Sequence, residues 1–120
     1  SWLLAIEMRI PLVLYAAYAA VMLLIIGTIR LPPENMAAAR PVMKRVAENS
    51  RGEAGCMDYV YAEDVFEPGL IHVKEMWADQ PALDRHFNAA HLHEWRSTWA
   101  SLGIGERHLQ VYEVGAPRST

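Results

Sequence analysis

The residues best suited to catalysis are concentrated in one stretch, EMWADQPALDRHFNAAHLHEWRSTW, which runs from Glu75 to Trp99. Histidine exchanges protons near neutral pH, and a carboxylate beside it can orient or protonate the imidazole. Tryptophan offers a flat apolar surface to a planar ligand. This combination indicates acid–base chemistry on an aromatic substrate, provided that the fold brings these side chains together.

Two histidines of this stretch, His86 and His91, are five residues apart. On one straight helix this spacing places them on different faces. A helix break near Ala89 and Ala90 would let both reach one cavity. The alternative for each histidine is a solvated or capping role without chemistry.

The carboxylate of Glu75 is the most unusual feature of its strand. Glu75 and Trp77 are two residues apart and therefore share a face with Ile71 and Val73, which gives an apolar surface. A carboxylate there is costly unless it is hydrogen-bonded. Glu75 either orients or protonates a histidine, or it lies at the rim of the sheet and pairs with a basic neighbour.

The aromatic side chains near this stretch are either ordinary core or the wall of a pocket for a flat substrate. The candidates are Trp77, Trp95, Trp99, Tyr59 and Tyr61.

A metal site requires three or four converging ligands. His86, His91, His93 and Glu75 are the available set, but the HExxH spacing of a helical zinc site is missing. We therefore predict no metal ion.

Composition restricts the class of protein. The chain has 120 residues, a length that fits one domain, and its 52% apolar and 21% charged residues are typical of a globular protein. A net charge of −3 without a basic stripe argues against nucleic-acid binding. Cys56 is the single cysteine and is predicted to be buried packing rather than a nucleophile. A cytoplasmic location is expected.

The N-terminal part contains twenty uncharged residues, Ile10 to Ile29, a length that fits a membrane span. However, MLLIIGTIR at its end is typical of a buried strand and is followed by a Pro-Pro turn. Residues 1–21 are therefore predicted to be an extension outside the core fold. Three interpretations stay open: a helix packed on the domain or a partner chain, upstream sequence before a natural start at Met22, or a membrane or signal segment, of which membrane attachment is not favoured.

The pattern after Met22 predicts the order β-α-β-β-α-β. This order indicates an α+β, ferredoxin-like fold with a four-stranded antiparallel sheet and helices on one face. The domain is predicted to span residues 22–115, with a polar tail at 116–120. Because the first strand is apolar on both faces, we expect a homodimer in which sheet packs against sheet.

Three short elements resemble the antibiotic biosynthesis monooxygenase family in order and spacing: G-C-x-x-Y, E-x-W and H-x4-H. The matching residues are Gly55, Cys56, Tyr59, Glu75, Trp77, His86 and His91. The resemblance covers residues 22–114 and leaves residues 1–21 aside. Ala90 stands where the family often has proline, a departure that weakens the expected helix break.

The resemblance implies a dimeric α+β barrel that oxidises a quinol or polyphenol with O2 as co-substrate and without a cofactor. It assigns His86, Glu75 and His91 to catalysis. His86 accepts a phenolic proton, Glu75 fixes an imidazole tautomer, and His91 binds the substrate carbonyl or the oxygen adduct. Trp77 would stack on the substrate ring. The aromatic residues themselves, rather than the resemblance, predict Tyr59, Tyr61, Trp95 and Trp99 as further substrate-binding residues. The alternatives are a haem-binding or haem-degrading relative, a small-metabolite isomerase, and a non-catalytic dimer that binds aromatic ligands.

Overall fold

The computed structural model describes residues 21–120. Apart from Val21, the predicted N-terminal extension lies outside the described residues. A 3-10 turn at Pro33–Asn35 precedes the first helix. In chain order the other elements are β1 (Met22–Arg30), α1 (Met36–Arg51), β2 (Cys56–Glu63), β3 (Leu70–Trp77), α2 (Gln80–Phe87), α3 (Ala90–Ser97), α4 (Trp99–Leu102) and β4 (Glu106–Val114).

The four strands form one antiparallel sheet in the order β2-β3-β1-β4. The central strand β1 pairs with β3 on one side and with β4 on the other, so that Ile25 lies opposite both Glu75 and Val111. This arrangement confirms the predicted ferredoxin-like α+β fold. Residues 115–120 follow β4 without regular structure, where a polar tail was predicted.

The helices cover one face of the sheet, as the burial of alternate residues shows. On β3, Ile71 and Val73 are buried, whereas the residue that follows each of them, His72 and Lys74, is exposed. Glu75 continues the buried row, so the polar residue lies on the core side of the sheet. The buried row of β1 comprises Leu23, Ile25 and Ile29.

Two elements end where side chains bond back to the backbone. Strand β2 ends at Glu63, and the Asp64 carboxylate accepts the backbone N–H groups of Phe66 and Glu67 at 2.9 and 2.8 Å, which turns the chain. Helices α3 and α4 are separated at Thr98, whose hydroxyl donates to the Trp95 carbonyl at 2.6 Å.

The predicted break between the two histidines is present, since α2 ends at Phe87 and α3 begins at Ala90. Helix α2 is held at its start by Asp79, whose carboxylate accepts the backbone N–H of Ala82 at 2.9 Å. At its end the Asn88 amide donates to the Asp84 carbonyl at 2.9 Å. The break changes the direction of the chain between His86 and His91.

Within residues 21–120, no helix combines the length and apolar character needed to cross a membrane.

Gly55 brings the turn after α1 against helix α2. Its φ is +85°, a conformation that favours glycine, and a Cβ at this position would lie 2.5 Å from the Cβ of Ala82. Its carbonyl accepts the backbone N–H of Ala78 at 2.8 Å. The turn therefore approaches the helix that carries His86, because residue 55 has no side chain.

We expect Gly55→Ala to lower the free energy of unfolding by about 2 kcal/mol, since it adds both backbone strain and a steric clash. The matched control is Gly105→Ala, because a Cβ at Gly105 meets nothing within 4 Å. Urea denaturation of the two variants gives the comparison. Equal losses of stability would contradict the close approach of the turn to α2.

Candidate active site

His86 occupies the centre of the polar cluster. It lies on α2 and is 1% exposed. The Trp77 ring packs on the imidazole with 4.5 Å between centroids, and the Tyr59 ring lies 5.4 Å away. On its other side, His86 Nδ1 lies 2.6 Å from a carboxylate oxygen of Glu53. Aromatic packing and one hydrogen bond thus fix the orientation of this imidazole.

Glu53 was not among the site residues predicted from the sequence. It lies in the turn after α1, where its backbone N–H donates to the Ser50 carbonyl and its own carbonyl accepts from Cys56. The same Oε2 that meets His86 lies 3.2 Å from His91 Nε2. The helix break therefore brings both histidines to one carboxylate, not to one cavity.

The Glu53 hydrogen bond sets the tautomer of His86. A carboxylate accepts and does not donate, so the proton lies on Nδ1, and Nε2 of the neutral ring keeps its lone pair. Burial lowers the pKa of His86, although the nearby Glu53 acts in the opposite direction. A neutral imidazole with a free Nε2 is the form that accepts a proton from a substrate.

Glu75 is buried and does not take the predicted role of fixing the tautomer. Its Oε1 accepts the indole N–H of Trp77 at 3.1 Å and lies 3.8 Å from Nε2 of His86, which is beyond hydrogen-bond distance. Burial raises the pKa of Glu75 to about 7. At neutral pH this carboxyl group is therefore partly protonated and can donate a proton inside the protein.

A small cavity of about 40 Å³ lies between the sheet and the helices. His86 and Glu75 line it together with four of the five predicted substrate-binding aromatics, namely Tyr59, Tyr61, Trp95 and Trp99. Two arginines that the sequence analysis did not select, Arg96 and Arg107, also line it.

Two predicted site residues lie outside the wall of this cavity. Trp77 is completely buried and packs on His86, and its stacking on a substrate stays a prediction. His91 contacts Glu53 on the far side of His86, with 6.0 Å between the two imidazole centroids. From this position His91 supports Glu53 and does not face the cavity.

A family profile described as antibiotic biosynthesis monooxygenase matches residues 22–98, more than half of the chain. The chain belongs to the antibiotic biosynthesis monooxygenase family. An uncharacterized protein of Synechocystis is 26% identical over 92 residues, which make up 77% of this chain and 63% of that protein. The chain therefore spans less than two thirds of the length of this curated relative.

Solved structures of other proteins share the fold of this family member. A Deinococcus radiodurans protein with a provisional antibiotic biosynthesis monooxygenase name superposes with a TM-score of 0.76 at 23% identity, over 82% of this chain and 97% of that one. A Nitrosomonas europaea protein with the same provisional name gives 0.70 at 20% identity, over 81% and 91% of the two chains. A Pseudomonas aeruginosa protein gives 0.66 at 25% identity, over 82% and 96%.

One group of side chains in this family domain has the composition of a metal site. The ligand atoms of Glu53, His86 and His91 all lie within 4.8 Å of one another. Two imidazoles and a carboxylate are ligands for zinc or iron. In the present geometry the Glu53 carboxylate is within hydrogen-bond distance of both imidazoles. The absence of a metal ion stays a prediction.

The position of Glu75 makes stability depend on pH. Its pKa is about 7 in the folded chain against an ordinary value of 4.5, so the folded state binds more protons between these values. Its stabilising contribution is complete below pH 4.5 and is lost as the pH rises to 7. At about 1.36 kcal/mol per pH unit the loss is on the order of 3 kcal/mol.

We expect Glu75→Gln to remove this loss, because the amide still accepts from Trp77 and carries no charge. The difference in unfolding free energy between variant and parent, measured by urea denaturation, should favour the variant more at pH 8 than at pH 5. Glu48→Gln on the exposed side of α1 is the control. A difference for Glu75→Gln that does not change with pH would contradict the raised pKa.

Proposed function

We propose that this chain is a cofactor-independent monooxygenase that oxidises an electron-rich phenol or quinol with O2. The observation that carries the proposal is the buried His86, whose Nδ1 lies 2.6 Å from a Glu53 carboxylate oxygen, which leaves Nε2 for a substrate beside an aromatic-walled cavity. A positioned base of this kind can convert a phenol into its anion without help from a metal or a flavin.

The proposed reaction begins when the phenolic O–H gives its proton to Nε2 of His86. The electron-rich anion passes an electron to O2, and the two radicals combine into a peroxide adduct. The peroxide first takes back the phenolic proton from His86. Glu75, with its pKa of about 7, then supplies a second proton to the distal oxygen as the O–O bond breaks. In the same step the ring carbon that bears the peroxide loses its hydrogen as a proton, which returns to the Glu75 carboxylate, and the C–H electron pair forms the new C=O bond. One oxygen atom enters the product and the other leaves as water, so O2 receives all the electrons that the substrate loses.

The aromatic walls support a flat substrate, but the cavity must open to admit it. Its volume of about 40 Å³ is well below the roughly 150 Å³ of an engineered cavity that holds benzene. Arg96 on α3, Trp99 on α4 and Arg107 on β4 line one side of the cavity, and both arginines are solvent-exposed. We propose that the cavity opens on this side. The buried Tyr59 and Trp77 belong to the fixed side.

Glu53 acts through His86 and is therefore a positioning residue in this proposal. Its bond to Nδ1 keeps the free lone pair on Nε2, and His91 holds the same carboxylate from the outside. This arrangement transfers to Glu53 the role that the family resemblance suggested for Glu75. Glu75 keeps a role as a proton donor.

O2 uptake by the purified, metal-free protein tests this function with a panel of quinols and polyphenols. We expect uptake above autoxidation and incorporation of one labelled atom from ¹⁸O2 into the product. His86→Ala should reduce the rate by about 100-fold, the usual contribution of a positioned general base. The control is His93→Ala, since His93 is exposed on α3 and lies outside the cluster.

Unchanged uptake by His86→Ala would overturn the role of this histidine. If no member of the panel is consumed while aromatics still bind, the non-catalytic alternative replaces the monooxygenase. A Soret band that shifts on addition of haem would favour the haem-binding alternative, and turnover of a hydroxy-carbonyl compound without O2 would favour an isomerase.

We also propose that the chain forms a homodimer through the sheet face opposite the helices. Leu24, Ile26 and Met76 lie on this face, and Ile26 is 40% exposed. Tyr112, which is opposite Leu24 on β4, is 44% exposed. A depression of about 830 Å³ lies here, away from His86 and Glu75. A second copy of the chain would bury this apolar surface and fill the depression.

Sedimentation equilibrium should give about twice the chain mass of 13.5 kDa. Ile26→Lys should shift the mass towards the monomer, because it places an unpaired charge in the proposed interface. Ala38→Lys on the exposed side of α1 is the matched control and should leave the mass unchanged. A parent protein that sediments as a monomer would contradict the proposed dimer.

A further inference from the structure

Two arginines lie against the same tryptophan at the wall of the cavity. The guanidinium of Arg107 is 4.2 Å from the centroid of a Trp99 ring, and the guanidinium of Arg96 is 5.9 Å from it. All three residues line the cavity that His86 and Glu75 also line. We call Arg96, Trp99 and Arg107 the arginine corner.

The arginine corner has no acidic partner in the described part of the chain. Within residues 21–120, no carboxylate oxygen lies within 4.0 Å of either guanidinium. Three other arginines do have such partners, namely Arg30, Arg40 and Arg45. Among residues 21–120, Arg51, Arg85 and Arg118 also lack a carboxylate partner. What distinguishes Arg96 and Arg107 is that both line the cavity of His86 and Glu75.

The positive charges of Arg96 and Arg107 also repel each other. Burial lowers the pKa of Arg107, and the charge of Arg96 lowers it further. The nearest acidic group on the cavity wall is Glu75, whose raised pKa leaves it partly neutral. An anion placed between the two guanidinium groups would relieve this repulsion.

Trp99 adds a third unused donor. Its indole Nε1 is buried, and among residues 21–120 it has no hydrogen-bond partner. A buried N–H without a partner is costly, and such groups are rare in folded proteins. In the described part of the chain, the arginine corner thus contains two guanidinium groups and one unpaired indole N–H, all of them donors.

We propose that the arginine corner binds the carboxylate of the substrate, so that the substrate of this chain is a phenol or quinol that carries a carboxylate group. The proposal rests on the proposed function, because it names the substrate class of the same cavity. A carboxylate is planar and acceptor-only, and it matches the fork of donors on a guanidinium. Its charge also neutralises part of the excess positive charge.

In this proposal the arginine corner binds one end of the substrate and His86 binds the other. An aromatic acid whose carboxylate meets Arg96 and Arg107 is held in the cavity where Nε2 of His86 accepts the phenolic proton. Fixing both ends of a flat molecule restricts its orientation, which favours reaction at one ring position.

Binding measured without O2 tests the substrate class separately from turnover. Quenching of tryptophan fluorescence gives the affinity of 2,5-dihydroxybenzoate, of its methyl ester and of hydroquinone under nitrogen. We expect the acid to bind at least about tenfold more tightly than either uncharged compound, as a charge-assisted contact provides. Equal affinities for the acid and the ester would overturn the proposal.

Variants then locate the preference. Arg96→Gln and Arg107→Gln should each bring the affinity for the acid close to that of the ester and leave binding of the ester unchanged. Arg45→Gln is the matched control, because Arg45 pairs with Glu94 and does not line the cavity. Circular dichroism verifies that each variant is folded. A preference for the acid that survives in both corner variants would overturn the assignment.

Two further results separate this inference from the proposed function. If the acid binds preferentially and no O2 is consumed, the arginine corner stands and the monooxygenase proposal falls. If uncharged quinols are oxidised and the acid has no advantage, the proposed function stands and the inference falls. Tighter binding of phenyl phosphate than of benzoate would overturn the choice of a carboxylate.

Discussion

The hydrogen bond between Glu53 and His86 connects the parts of this domain that must cooperate. It joins the turn after α1 to helix α2, two segments that are 33 residues apart in sequence. The close approach at Gly55 allows the contact, and the helix break adds His91 to the same carboxylate. This bond also determines which imidazole nitrogen is free. The packing of the turn against helix α2 therefore decides which atom of His86 can accept a proton in the cavity.

Much of the fold could be predicted from the sequence, because the spacing of apolar residues indicates which segments are strands or helices and which face of each is buried. The alternation around Glu75 places that residue on the buried face, and the bounds of β1 agree with its apolar run. The roles within the site depend on contacts between distant segments, which periodicity does not report. Glu53 lies in a turn between Gly52 and Gly55 that matches no sequence motif. Arg107 could not be selected from the sequence, because only the folded chain places it against Trp99.

Several groups around the cavity are held in energetically unfavourable states. Glu75 is a buried carboxyl group, Arg96 and Arg107 repel each other, and the indole N–H of Trp99 is unpaired among residues 21–120. The described core is otherwise formed mainly by apolar clusters, and Ser50 Oγ is the other buried side-chain polar atom without a partner among residues 21–120. Several unfavourable states at one place are typical of a functional site.

The strand order has a consequence for how the chain acquires its structure during synthesis. Strand β1 is the first described element, but it lies in the interior of the sheet between β3 and β4. Strand β1 pairs with β3 and β4, which are both translated later. Its pairing with β4 is complete only after Val114 has left the ribosome. Until then β1 exposes an apolar edge that can pair with other chains. The interior position of β1 therefore lengthens the time during which the nascent domain exposes an unpaired strand.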